Sequence, residues 1–234
     1  MKDPAGYSCE VCTDAGAWRL TLGGEFDLAT VPVSEAVLRM AQADALTVWL
    51  DLGDVSFIDS SGIAMLMRAH QRADRAGNEL VLVAPSAPVR RLLELCGIDR
   101  ALRIEDRDPW THQESGRRHA VIATNLDGVV VHWNRDAEAF YGYTAQHAVG
   151  RAARDLIVAP GDNDEARRIV QTLRTDGRWQ GAFEVARADG STFRAWVRDI
   201  VMCDDAGRPS GLLGLSVPML ELARAQPAPH PRAA

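Results

Sequence analysis

The sequence predicts two small domains of different build: an α/β domain with a mixed sheet and helices, then an α+β domain whose antiparallel sheet carries helices on one face. Three observations carry this. Strand-like and helix-like periodicities alternate through roughly the first hundred residues, as in a layered α/β unit. Farther on, Asp127-Gly128 and Asp189-Gly190 each sit between apolar runs and mark hairpin turns. Between the two patterns Asp106–Arg118 (DRDPWTHQESGRR) is polar, holds a Pro and a Gly, and has no period, so it reads as a linker. The ranges that follow are 7–105 for the first domain, 106–118 for the linker, 119–217 for the second domain and 218–234 for a mostly disordered tail. Two such units are expected to fold independently.

In the first domain an initial strand holds Cys9 and Cys12, and Ala17–Leu22 follows with Trp18, Leu20 and Leu22 alternating onto one face. Val33, Ala36, Val37, Met40 and Ala41 share one helical face. Leu46–Leu52 is a short apolar strand. Ile63, Leu66, Met67 and Ala73 mark a second helix ending near Gly77. Glu79–Ala84 suits a central strand. A third helix carries Val89, Leu92, Leu93 and Cys96 on its apolar face, with Gly97 just past its end, and Ala101–Ile104 closes the domain.

The second domain opens on a hairpin, Val121–Thr124 with Val129–Trp133. A helix through Ala166, Ile169, Val170 and Leu173 ends at Gly177. Trp179–Arg187, Ser191–Met202 and Gly211–Val217 then form a three-stranded meander. Met219–Ala225 is a short helix candidate before the Pro/Ala-rich end.

A net charge of −6 leaves no basic footprint for direct nucleic-acid binding. No apolar run reaches membrane-spanning length and no secretory leader is visible, so a cytoplasmic protein without a membrane partner is expected. Cys9-Glu10-Val11-Cys12 has no second pair and falls on a strand, where residues three apart face opposite ways; it is not read as a metal or redox site. Acidic residues are scattered rather than paired for acid–base work, and no nucleotide-binding or hydrolase motif occurs, so an enzyme is not expected.

The most informative segment is Leu50–Met65 (LDLGDVSFIDSSGIAM). An apolar strand runs into a loop, and Asp59-Ser60-Ser61-Gly62 opens a helix. Asp and Ser here are N-cap residues whose oxygens accept from first-turn N–H groups, which is one complete account of the segment. The other is a phosphoserine site, because free N–H groups and the positive end of the helix dipole both favour added negative charge.

Order and spacing extend this reading. Gly24-Glu25-Phe26-Asp27 after a strand, Leu50-Asp51-Leu52, Phe57-Ile58-Asp59-Ser60-Ser61-Gly62 and Pro88-Val89-Arg90-Arg91-Leu92 arrive in the order seen in the STAS family of anti-sigma-factor antagonists, which residues 7–105 resemble. The resemblance implies an anti-anti-sigma factor phosphorylated on Ser60 by its partner, an anti-sigma factor serine kinase. A serine phosphatase on another chain would reset it, and sequestering the kinase would free a sigma factor. Asp27, Asp59, Ser61 and Gly62 would belong to the partner-binding surface, with Ser61 as the capping neighbour. A carboxylate replacing Ser60 is expected to be tolerated by the helix start. The alternative is a sensory scaffold subunit of a STAS assembly with no direct sigma-factor role.

Residues 119–217 resemble a PAS sensor domain through Ala123-Thr124-Asn125-Leu126-Asp127-Gly128, Trp133-Asn134-Arg135-Asp136-Ala137-Glu138, Phe140-Tyr141-Gly142-Tyr143-Thr144 and Val149-Gly150-Arg151. The resemblance implies modulation of the first domain and leaves room for a PAS-mediated homodimer. Tyr141 and Tyr143 read as packing residues. No flavin or haem cofactor is expected, while an unidentified PAS ligand stays open: Gly150-Arg151-Ala152-Ala153-Arg154 lacks the cysteine of a flavin photoadduct site, and Asp162–Gly177 holds no histidine for haem. His132 and His147 are isolated. The purified protein should therefore be colourless, and a visible absorption band that co-purifies with it would contradict this.

Overall fold

The computed structural model describes residues 6–107, 110, 116–159, 161–204 and 206–219. The elements in chain order are β1 (Ser8–Asp14), β2 (Ala17–Phe26), α1 (Val31–Asp44), β3 (Thr47–Ile58), α2 (Ser60–Ala76), β4 (Glu79–Val83), α3 (Ala87–Leu95) and β5 (Arg103–Glu105). They continue with β6 (Arg117–Asn125), β7 (Val130–Trp133), α4 (Arg135–Tyr141), α5 (Ala145–Ala148), α6 (Ala153–Ile157), α7 (Asn163–Asp176), β8 (Arg178–Ala186), β9 (Thr192–Cys203) and β10 (Pro209–Pro218). The predicted linker is shorter at its end than expected, since Arg117 and Arg118 already belong to β6. The helix candidate Met219–Ala225 and the tail lie, apart from Met219, outside the described residues.

Local chemistry explains the boundaries. Gly77, Gly142 and Gly177 end α2, α4 and α7 in the left-handed conformation, which glycine adopts without a Cβ penalty. Asp127-Gly128 turns β6 into β7 through Asn125, whose side chain accepts from the N–H groups of Asp127 and Val129. Cys96 departs from the reading: it caps the end of α3 and is exposed rather than completing an apolar face.

Two sequence units form one sheet. Its strand order is β5-β4-β3-β2-β1-β6-β10-β9-β8, with β7 paired to β6 off this path. Strands β2 to β5 are parallel neighbours; the rest pair antiparallel. The join is β1 against β6, with Val11, Cys12 and Thr13 opposite His119, Arg118 and Arg117. Alternate residues of β6 then serve two cores. Val121 and Ala123 face the first core with α1, α2 and the β2–β4 residues, whereas Ala120 and Ile122 face the second with α4 and α7.

Helix α1 shows what the join does. The predicted face Val33, Ala36, Val37, Met40 and Ala41 is buried, but so are Val31, Ser34, Glu35 and Leu38 around the helix. It packs against β2, β3 and α2 of the first unit and against β9 and β10 of the second. Asp44, which prolongs the Val37–Met40 face, pairs with Arg198 of β9. The second sheet thus covers a helix that the sequence assigns wholly to the first domain.

At the seam Asn134 is buried and fully engaged. Its Oδ1 accepts from the N–H groups of Val121 (2.9 Å) and Ala137 (2.9 Å), capping α4. Its Nδ2 donates to Glu10 (2.8 Å) and to the carbonyls of His119 and Cys9. Glu10 also accepts from the Arg135 N–H (3.1 Å), so a β1 side chain reinforces the start of a helix in the other unit. His132 and His119 lie at the same seam, Tyr7 against His132 and Trp18 stacked on His119; burial drives both imidazoles down to about 4.

Burial raises the Glu10 carboxyl to about 7, helped by Asp136, although the Arg135 N–H, the Arg135 charge and Asn134 pull it down. The folded state therefore holds this proton more tightly than the unfolded chain. Its stabilising contribution is complete below the unfolded value of 4.5 and is lost as pH rises through about 7. Glu10→Gln keeps an acceptor oxygen and cannot ionise. Its melting temperature should gain on wild type as pH is raised from about 5 to about 8; a constant difference across that range would show that Glu10 does not titrate at the seam. The histidines and Asp199 act in both proteins and cancel in the difference.

Candidate functional site

Strands β2 and β3 are parallel and end side by side, Phe26 opposite Ile58. Their carboxyl ends lead into α1 through Asp27 and into α2 through Asp59. Loops at the carboxyl ends of parallel strands are where α/β layers place binding groups. The Asp59 N–H donates to the Phe26 carbonyl (3.2 Å), which ties the two loops together.

Each loop is fixed by its aspartate. Asp27 Oδ1 accepts from the N–H groups of Ala29 (3.0 Å) and Thr30 (3.2 Å) and from the Thr30 hydroxyl. Asp59 is the N-cap of α2: its Oδ1 accepts from Ser61 N–H (2.8 Å) and Gly62 N–H (3.1 Å). The Ser61 hydroxyl donates to the same oxygen at 2.5 Å. The expected role of Ser61 is thereby corrected: it braces the cap, and Asp59 makes it. Burial opposes ionisation of Asp59, but these donors, with the Leu28 N–H, outweigh it and hold the carboxyl below its ordinary range.

Gly62 is buried where α2 meets the strand ends. A Cβ there would lie 2.7 Å from Ile58 Cγ1 and 3.1 Å from Phe26 Cδ1, so glycine is what lets the helix start this close to the sheet. Ser60, at the first position of α2, is exposed, and its hydroxyl has no partner among the described residues. Leu28, on the first loop, and Phe57, near the end of β3, are both large and exposed (67% and 51%) beside it. The sequence reading did not single them out; Phe57 could have been flagged as an apolar residue out of phase at the end of β3.

This geometry revises the electrostatics of a charge at Ser60. Two of the first-turn N–H groups that would receive it, those of Ser61 and Gly62, are already bonded to Asp59. A phosphate or carboxylate at Ser60 would meet the Asp59 anion as well as the positive end of the helix.

In the second unit, Tyr141 and Tyr143 pack as expected. Tyr141 is buried with its hydroxyl 2.8 Å from Ser216 Oγ, and Trp133 Nε1 donates to the Tyr143 carbonyl. His147 stacks on Tyr143. Among the described residues no cluster of His, Cys, Asp and Glu suits a metal ion, and no helix is long and apolar enough to cross a membrane.

An α/β unit with this loop pair, continued by an antiparallel sheet with helices on one face, defines a STAS domain followed by a PAS domain. Residues 9–104 match the family described as Mlab, STAS domain, and residues 115–216 match the PAS fold. The first unit is similar to the anti-sigma-B factor antagonist of Staphylococcus aureus, with 28% identity over 98 residues, 42% of this chain and 91% of the relative. That of Staphylococcus epidermidis is 26% identical over the same length. The second unit is similar to the PAS domain of a protein from Colwellia psychrerythraea (23% identity, TM-score 0.41, 43% of this chain and 85% of that one).

The site predicts a ranking of stabilities. Asp59→Ala removes the cap and should cost about 0.5–2 kcal/mol. Ser61→Ala removes only the brace and should cost less. Ser60→Ala should change little, since its hydroxyl has no partner among the described residues. Urea unfolding of the three variants checks this, and a loss at Ser60 equal to that at Asp59 would contradict it.

Proposed function

We propose that the chain is a partner-switching anti-sigma factor antagonist. The surface around Ser60 binds an anti-sigma serine kinase while Ser60 is unmodified, and phosphorylation of Ser60 weakens that contact and releases the kinase to its sigma factor. A serine phosphatase returns the chain to its binding form. The observation that carries this reading is the state of Ser60: exposed, unpartnered, at a rigidly capped helix start and flanked by exposed Leu28 and Phe57. An apolar rim around a neutral hydroxyl suits a protein partner. A phosphate of about −1.5 to −2 charge beside Asp59 would be repelled from below and would face that partner directly. Similarity to anti-sigma-B factor antagonists supports the class of partner. The chain's part is binding rather than catalysis.

The PAS unit has a physical route to this surface. Helix α1 touches β9 and β10, and it is led in by the Asp27–Thr30 loop, whose Leu28 N–H acts on Asp59. A shift of the PAS sheet against α1 would be felt at the loop pair. A PAS-mediated homodimer would act through the same helix.

The test uses the full chain and a purified anti-sigma-type serine kinase. With ATP it should label Ser60 in wild type and not in Ser60→Ala, which should bind as tightly as unmodified wild type. Ser60→Asp should bind about tenfold more weakly, the cost of one ill-placed charge. No label on Ser60 together with full binding by Ser60→Asp would leave the site a helix start and favour the scaffold reading.

A further inference from the structure

Where α1 and α2 pack together, three guanidinium groups converge on one carboxylate. Glu35 of α1 is buried. Arg39, one turn farther along α1, donates its Nε–H to Glu35 Oε1 at 3.3 Å. Arg72 of α2 donates to the same oxygen, and Arg68 of α2 donates to Oε2 at 3.5 Å. Arg72 Nε also donates to Gln42 Oε1 (3.1 Å), and Gln42 Nε2 donates to the Ala69 carbonyl (2.7 Å). These bonds hold the two helices together, and that explains the inner half of the cluster.

Helix packing does not explain the outer half. Arg39 and Arg72 alone outnumber the carboxylate they share, and Arg68 adds a third positive charge to the group. Burial weakens the hold of Arg72 on its proton and Glu35 strengthens it, while Arg39 and Arg68 weaken it again, so the cations repel one another. Arg72 Nη2 is buried with no hydrogen-bond partner among the described residues. Arg39 gives Glu35 one N–H, and its two terminal nitrogens have no partner among the described residues. The side chains of Arg39 and Arg68 are 58% and 38% exposed, so their forks are within reach from outside. A chain of net charge −6 thus keeps a local excess of positive charge at this place.

The surroundings decide what kind of anion fits. Along α2, steps of four residues from Ser60 give Ala64, Arg68 and Arg72, which follow one side of the helix turn by turn. At about 1.5 Å per residue, Arg68 stands about 12 Å and Arg72 about 18 Å from Ser60 along the axis. Between them Ala64 is exposed and Ile63 and Met67 are half-buried. A mixed apolar and cationic strip of this length fits within the roughly 800 Å² that one protein presents to another. A nucleic acid or an anionic membrane brings many charges and meets the repulsion of the whole chain, whereas a short acidic protein segment engages the local excess alone. Carboxylates also match the guanidinium fork two bonds at a time.

We propose that the arginine strip of α1 and α2 is a docking site for an acidic segment of a protein partner, whose carboxylates pair with Arg39 and Arg68 while its apolar side chains lie on Ile63, Ala64 and Met67. Glu35 is a positioning residue, holding the guanidinium groups together without neutralising them. The strip adjoins the Ser60 surface, but the inference goes beyond the switch proposed there and needs no phosphorylation.

The experiment is fluorescence anisotropy of the full chain with two labelled peptides, a Glu-Leu-Glu-Ala repeat and its Gln-Leu-Gln-Ala counterpart, at low and at physiological salt. Wild type should bind the glutamate peptide at least about tenfold more tightly than the glutamine peptide at low salt, and added salt should narrow the gap. The double variant Arg39→Gln/Arg68→Gln should lose that preference and keep its circular dichroism spectrum. Arg39→Glu alone, a change at the exposed end of the strip, should weaken the glutamate peptide and spare the glutamine one. Inorganic phosphate at matched ionic strength should not displace the peptide. Equal affinity for the two peptides, a glutamate preference that survives in the double variant, or displacement by phosphate would each overturn the proposal. Peptide binding is read without a kinase, so it can fail while labelling of Ser60 succeeds, and the reverse.

Discussion

Three residue pairs, Val11 with His119, Cys12 with Arg118 and Thr13 with Arg117, carry the antiparallel seam between β1 and β6, and the remaining architecture leans on it. An edge strand left unpaired exposes a row of N–H and C=O groups. Here the first edge of the STAS sheet is satisfied by the first strand of the PAS sheet. The seam is reinforced by Asn134, whose loss would orphan two buried N–H groups at about 1–3 kcal/mol each. Once the strands are zipped, the face of the PAS sheet opposite its own helices has to be covered, and α1 is the helix in reach.

That geometry makes α1 an element with two masters. One side of it belongs to the sheet that holds Asp27 and Asp59, another to β9 and β10. A helix buried on several sides moves only as a body, because close-packed neighbours leave it few alternative positions. The loop pair at Ser60 and the PAS sheet are consequently linked by a rigid rod rather than by a flexible tether.

The order and type of the elements were legible in the sequence because each depends on local signals. Period-2 and period-3.6 patterns, the Asp-Gly turns and the C-terminal glycines of α2 and α7 act within a few residues of themselves. The β1–β6 seam was not legible. Polar Asp106–Arg118 carries the composition of a linker whether or not the strands on either side of it pair. Periodicity says that Val33, Val37 and Met40 are buried, but not against which sheet; only Asp44 meeting Arg198 settles it. At the site, Asp59-Ser60-Ser61-Gly62 identified a capped helix start, yet either Asp59 or Ser61 could supply the cap from sequence. The short reach of the Asp59 carboxylate to two N–H groups decides it, and that choice determines how a charge on Ser60 is received.

The seam also sets an order of assembly. Thr13 and His119 touch although 106 residues separate them. While the chain emerges during synthesis, β1 has only β2 beside it until β6 appears, and contacts this distant in sequence form late. A nascent or truncated chain ending before β6 carries an open strand edge and a bare apolar side of α1 at the same moment, the combination that recruits a second, identical chain. Pairing of β1 with β6 thus closes within the chain a strand edge that the first unit by itself would leave open.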